Sequence, residues 1–121
     1  SRSTVGILGV TFKDNCPDIR NSKVFDLISE LQSWGVSALI HDPWADPEEV
    51  RDEHDFVLLP SIDACSCDAV VVAVAHQQFV EKFPSELMGM CKDPKKAVLG
   101  DLKSIFGRGE CEELGFDVFR L

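Results

Sequence analysis

Four side chains stand where binding an anion would need them. Lys13 follows the apolar run Thr4–Phe12, His76 follows Asp68–Ala75, and Lys103 follows Ala97–Leu102. Arg20 lies near the end of the polar stretch Lys13–Ser22. Lysine supplies a point charge, arginine a planar fork of donors, and histidine a donor that titrates near neutrality. Each charged hydrogen bond to a phosphate contributes roughly 1.5–3 kcal/mol. Every one of these residues also has a plainer use. A lysine after a strand is commonly a solvated loop charge. Arg20 can fork onto Asp14 or Asp18 and tie down its loop. His76 can be a hydrogen-bonded loop residue, and His41 and His54 carry no specific signal.

The elements that would position them follow from periodicity. Thr4–Phe12 and Asp68–Ala75 are short, apolar and β-branched, which predicts strands buried on both faces. Val36–Ile40, Ala97–Leu102 and Phe116–Arg120 read as further strands, and Phe56–Leu59 as a short third strand between the second and Asp68–Ala75. Val24, Phe25, Leu27, Ile28, Leu31 and Trp34 recur at helical spacing, with Asn21 or Ser22 as the cap and Gly35 as the stop. Asp46 caps an acidic helix over Pro47–His54. Ser61–Cys65 reads as a turn or short helix. Gln77–Phe83 and Ser85–Met90 read as short helices split by Pro84, Gly107–Gly109 as a loop, and Glu110–Leu114 as one helical turn.

Alternating strands and helices predict an α/β fold, Rossmann-like and doubly wound. The sheet is mainly parallel, of five to six strands, with helices on both faces. An order of 3-2-1-4-5 sets the first strand beside Asp68–Ala75. Ligands in such sheets bind beyond the carboxyl ends of the strands, where the order reverses. Lys13, His76 and Lys103 would then border one crevice. The helix starting near Ser22 adds free backbone N–H groups and the positive end of its dipole.

Composition narrows the function. The chain has 121 residues, 45% hydrophobic and 27% charged, which suits one soluble domain. Its net charge of −9 disfavours non-specific nucleic-acid binding. The apolar run Ala69–Ala75 is far too short to span a bilayer. Cys16, Cys65, Cys67, Cys91 and Cys111 show no metal-type spacing, so no metal site is expected and a reducing intracellular compartment fits. Ser1–Ser3 reads as a remnant at a cut edge, with the domain running from residue 4 to 121.

Familiar catalytic signatures are missing. Gly6-Ile7-Leu8-Gly9 has G-x-x-G spacing where a dinucleotide fingerprint needs G-x-G-x-x-G, and the helix begins too late for a pyrophosphate in the usual way. Asp42 stands where such a fold carries its ribose-binding acid, but Asp42-Pro43 also serves as a strand terminator. No P-loop, nucleophile elbow or H-E-x-x-H occurs.

The string Gly9-Val10-Thr11-Phe12-Lys13-Asp14-Asn15-Cys16-Pro17-Asp18-Ile19-Arg20-Asn21-Ser22 resembles the opening of the C-terminal domain of the UDP-glucose/GDP-mannose dehydrogenase family. The family pattern there is G-[LVF]-[AST]-[FM]-K followed by D-x-R-x-[ST]. Further matches follow in order: His41-Asp42-Pro43, Ala73-Val74-Ala75-His76 with Phe79, Gly100-Asp101-x-Lys103, and the ending Val118–Leu121. The wording of Asn15–Asn21, Asp42-Pro43-Trp44 and Ala75-His76 looks most like the branch that oxidises UDP-N-acetylhexosamines (GalNAc or GlcNAc) for surface polysaccharides.

This resemblance implies a UDP-sugar-binding domain of an NAD-dependent 6-dehydrogenase, an enzyme that oxidises the sugar C6 alcohol to a carboxylate. It implies that NAD is bound by an upstream N-terminal domain, that a central helical region mediates dimerisation, and that the nucleophilic cysteine lies upstream. No catalytic residue then falls in this chain, and Cys16 is not that nucleophile. The expected partners are the UDP-sugar, the other domains of the same protein, and further copies in a cytoplasmic homo-oligomer, with no membrane or nucleic acid. Phe12, Lys13, His76 and Lys103 are the expected substrate-binding residues, and Asp18, Arg20 and Ser22 the loop-organising ones. Lys103 stands where UDP-glucose dehydrogenases carry arginine, so a bidentate contact is lost there. A flavodoxin- or receiver-like module without a nucleotide site is the alternative. It needs acids after the first strand, where this chain has Phe12-Lys13. A standalone NAD-binding protein is disfavoured by the glycine spacing.

Overall fold

Almost wholly apolar, the first run takes an interior place in a sheet. The computed structural model describes residues 3–61, 66–81, 84–93, 96–103 and 106–119. Strand β1 (Thr4–Leu8) lies between β2 (Ser37–His41) and β3 (Ala69–Val72), and β4 (Val98–Asp101) and β5 (Asp117–Phe119) follow outward from β3. All four pairings are parallel. The register sets Leu8 beside both His41 and Val72, and Val72 beside Asp101. The carboxyl ends of β2, β1, β3 and β4 are therefore level, and the loops leaving them share one edge.

Side chains alternate across the pleat. Ile7, Ile40 and Val71 pack with Phe25 and Ile28 of helix α1 (Val24–Ser33) and Val50 of α2 (Pro47–His54). Leu8, Val70, Val72 and Leu99 form the other core with Phe79 of α3 (Gln77–Val80), Leu87 of α4 (Pro84–Met88) and Cys111 of α5 (Arg108–Glu113). The architecture is the doubly wound, Rossmann-like α/β fold that the sequence predicts.

Several boundaries differ from the sequence reading. The first strand stops at Leu8 and not Phe12, because Gly9 takes φ 98°, outside the strand region. Phe56–Leu59 contributes a single bridge, Leu58 to Ile40, so the expected third strand survives only as a fringe beside β2. Asn21 and Ser22 do not cap α1; its N-cap is Lys23, without a side-chain hydrogen bond. Helix α5 begins at Arg108, inside the expected Gly107–Gly109 loop. Trp34, expected on the buried face of α1, is 71% exposed. Residues 62–65, 82–83 and 120–121 fall outside the described residues, and with them most of the expected Ser61–Cys65 turn and the ends of two other elements. The acidic helix and its cap agree in full: Asp46 accepts the Glu48 N–H at 3.0 Å. At the start of the chain, the Ser3 carbonyl accepts the Ser37 N–H at 2.9 Å and extends the β1–β2 ladder.

The two glycines of the first strand face inward. A Cβ on Gly6 would sit 2.9 Å from the Cys67 Sγ, and one on Gly9 would sit 2.7 Å from the Val74 Cβ. Gly35 differs: its φ is 82°, but nothing lies within 4 Å of its would-be Cβ. Gly9→Ala should therefore cost about 3 kcal/mol, combining backbone strain with a clash in the core, and Gly35→Ala only about 1 kcal/mol. Urea denaturation of the two variants checks the ranking, and equal costs would contradict it.

Candidate functional site

The strand order reverses between β1 and β3. Beyond their ends lies a crevice of about 210 Å³ lined by Thr11 and Phe12 after β1, Ala73 and Val74 after β3, Lys103 after β4, and Asn21–Val24 at the start of α1. The missing cap leaves first-turn N–H groups of α1 without a side-chain acceptor, at the positive end of its dipole. Asn21 enables the approach with φ 62°, a conformation asparagine tolerates.

The expected residues separate here. Phe12, 51% exposed, and Lys103 line the crevice. Lys13 is exposed on the turn beside Phe12 and is not among the lining residues. Lys23 takes its place in the wall. Lys23 is the N-cap of α1, at the helix end that meets the crevice. None of Lys13, Lys23 and Lys103 is held in an ion pair among the described residues. Arg20 is engaged with protein. Its Nε and Nη2 fork onto Asp18 at 3.0 and 3.2 Å, and its backbone N–H donates to the same carboxylate at 2.9 Å. That fork holds the Asp18 carboxyl below its ordinary pKa. Asp18 and Arg20 are thus tied to each other within the loop. Ser22 lines the crevice, and its buried hydroxyl has no hydrogen-bond partner, so it ties nothing down.

His76 lies beneath the crevice, fully buried. This corrects the expectation that it meets substrate. Its Nδ1 accepts the Asn15 N–H at 2.8 Å, which places the ring proton on Nε2. Nε2 is 3.0 Å from both Asp42 Oδ2 and Thr11 Oγ1. Because Thr11 donates its own proton to the Lys13 carbonyl at 2.9 Å, its oxygen accepts from His76.

Asp42 is the hub that the sequence reading missed. Oδ2 accepts the N–H groups of Val10 and Thr11 at 2.7 and 3.2 Å as well as His76; Oδ1 accepts those of Trp44 and Ala45 at 2.7 and 3.1 Å. Both oxygens point into the protein, so none is left for a ribose. With Gly6 and Gly9 packed against Cys67 and Val74, and α1 not starting until Val24, a dinucleotide does not fit this chain. Among the described residues no cluster of His, Cys, Asp or Glu could hold a metal, and no helix is long and apolar enough to cross a membrane.

Residues 6–108 match the model of the UDP-glucose/GDP-mannose dehydrogenase family, UDP binding domain. The chain belongs to this family. It is 45% identical over 103 residues to the UDP-N-acetyl-D-glucosamine 6-dehydrogenase of Salmonella typhi, covering 85% of this chain and 24% of that protein. It is 33% identical over 108 residues to Protein CapL of Staphylococcus aureus, covering 89% of this chain and 25% of the relative. The chain spans about a quarter of the length of these relatives. Its fold superposes on the NDP-N-acetyl-D-galactosaminuronic acid dehydrogenase of Methanosarcina mazei with a TM-score of 0.87 at 19% identity, over 99% of this chain and 24% of the other. The resemblance read from the sequence is thus borne out at the level of the family, and a receiver- or flavodoxin-like module is not supported.

The pH response of the hub follows from its bonds. Burial raises the pKa of Asp42, but the hydrogen bonds from His76, Val10 and Trp44 outweigh it and leave the carboxyl below its ordinary value. A folded-state pKa lower than the unfolded one gives stability that is complete above about pH 4 and drains away as pH falls through the lowered value. Asp42→Asn should cost about 3 kcal/mol at neutral pH and flatten the acid limb of stability. Thermal unfolding from pH 7 to pH 3 tests this, and an acid limb as steep as the parent's would refute it.

Proposed function

We propose that this chain is the UDP-gripping part of an NAD-dependent UDP-sugar 6-dehydrogenase acting on UDP-N-acetylhexosamines, working with domains elsewhere in a longer, oligomeric protein. The carrying observation is the crevice at the strand-order reversal, lined by Lys23 and Lys103 with Lys13 on the adjoining turn, none of them ion-paired among the described residues, in a chain of net charge −9. The charge of the whole molecule opposes an anion. Within a screening length of about 8 Å, however, the local cations and the helix dipole dominate.

The size of the crevice supports a shared site. Pockets that enclose a whole small molecule run to roughly 300–1,000 Å³. About 210 Å³ suits a diphosphate with the remainder of the ligand outside. Lys23, Lys103 and the first turn of α1 grip the diphosphate oxygens, and Phe12 offers its exposed ring to the base. Lys13, on the rim, reaches the sugar side. The sugar C6 then projects away from this chain, toward residues contributed by other domains. When bound in such a domain NAD supplies the hydride acceptor; this chain does not fit it. Binding energy from the uridine diphosphate, remote from C6, holds the alcohol in place for chemistry that happens elsewhere.

Calorimetric titration of the chain with UDP should show saturable binding that weakens as salt rises. Lys103→Ala and Lys23→Ala should each lower the affinity about tenfold, the loss of one charged contact. Absence of UDP binding by the parent chain, or unchanged affinity in both variants, would overturn the reading. Within the longer protein Lys103→Ala should raise KM for the UDP-sugar and leave that for NAD unaltered.

A further inference from the structure

The turn that carries Phe12 and Lys13 buries little of its own surface. Phe12, Lys13, Asp14 and Asn15 are all exposed, and Asn15 takes φ 53°. A segment with so little burial would ordinarily be mobile. Here it is stapled by polar bonds. Asp42 accepts the N–H groups of Val10 and Thr11, the Thr11 hydroxyl donates to the Lys13 carbonyl, and His76 accepts the Asn15 N–H. From the other side, the Asp14 carboxylate accepts the Ala75 N–H at 2.8 Å and the Asn15 side chain accepts that of Gln77 at 2.6 Å. The His76 ring is itself wedged between Trp44 and Phe79, with ring centres 6.2 and 5.6 Å away. Asp42, His76 and Thr11 therefore join the exits of β2, β3 and β1 into one buried unit directly under the turn.

We propose that Thr11, Asp42 and His76 form a latch that presets the Phe12–Lys13 turn in its UDP-binding shape. The inference rests on the proposed function and deepens it. His76 and Asp42 are positioning residues: both are buried, neither can touch the ligand, and they act through the backbone of residues 10–15. Ordering that backbone in advance removes a cost that UDP would otherwise have to offset on binding. The His76 side chain suits the task because, in the tautomer set by Asn15, it accepts on one nitrogen and donates on the other.

The test compares UDP titrations of the parent chain and variants, each well below its own melting midpoint. His76→Leu should bind UDP about tenfold more weakly, whereas His76→Gln, which keeps a donor near the Nε2 position, should recover most of the affinity. Val50→Ala, in the core under α2, should lower the melting midpoint and leave the affinity within about twofold, which separates loss of the latch from loss of stability. Parent-like affinity in His76→Leu would overturn the latch, as would Val50→Ala weakening binding as much as His76→Leu does. If His76→Leu does not fold, Thr11→Val against Thr11→Ser takes its place: only the variant without a hydroxyl should bind weakly, and equal affinities overturn the latch. The ¹⁵N spectrum of the His76 ring should show the proton on Nε2, and a proton on Nδ1 alone contradicts the arrangement. A parent chain that fails to bind UDP refutes the proposed function itself, whatever the variants do.

Discussion

The buried carboxylate of Asp42 constrains the exits of three adjacent strands at once. It accepts five hydrogen bonds, from Val10, Thr11, Trp44, Ala45 and His76. A buried carboxylate is costly unless its lone pairs are filled. Here they are filled by backbone N–H groups of segments that leave the sheet and so lack ladder partners. Each solves the other's problem: the loops would bury unsatisfied donors without the carboxylate, and the carboxylate would be uncompensated without the loops. The geometry above it, including the crevice wall at Thr11 and Phe12, inherits its definition from this arrangement.

A second constraint comes from the sheet register. Parallel pairing with level ends at His41, Leu8, Val72 and Asp101 delivers their loops to one edge. Asp101 repeats on a smaller scale what Asp42 does: it is fully buried and accepts the Phe106 N–H at 2.9 Å, fastening the loop that carries Lys103. Acids buried at strand ends hold loops, while Lys13 and Lys103 on those loops make no ion pair among the described residues. The excess of acid in the composition is thus no measure of the potential in the crevice, because no carboxylate is among its lining residues and Asp42 and Asp101, at the strand ends, are turned inward onto protein donors.

Much of this was legible in the sequence. Apolar, β-branched runs such as Asp68–Ala75 have one reading, and the α2 helix announced itself through Asp46, Pro47 and its first-turn acids. The order of the elements and the crevice at the strand reversal followed from the alternation of strands and helices. What escaped were facts of orientation. Residue type alone reads aspartate and histidine as surface groups, so the complete burial of His76 and the inward aim of Asp42 have no local signal. Lys23 was missed because Asn21 and Ser22 looked like caps. The helix start therefore reads as sealed, and residue type alone does not mark the lysine one step later as part of the crevice wall. Strand β1 was read too long because Val10, Thr11 and Phe12 continue its β-favouring pattern. What stops it is the positive φ of Gly9, at a position where Val74 leaves no room for a side chain.

The same two glycines explain why this Rossmann-like sheet does not fit a dinucleotide at its reversal point. In a dinucleotide site, glycines free the turn after the first strand so that a helix can begin at once and meet a pyrophosphate with its N-terminus. Here Gly6 and Gly9 admit Cys67 and Val74 into the core, tightening β1 against β3 and its continuation. The helix does not begin until Val24, and residues 9–22 must cross the top of the sheet first. That crossing brings Phe12 and Lys13 to the rim, and it also creates exposed backbone that needs fixing, which Asp42, Thr11 and His76 supply. Asp42 occupies the place of the ribose-binding acid and its bonds turn inward. One lengthening of one loop thus changes both what the crevice can hold and what the acid at the end of β2 must do.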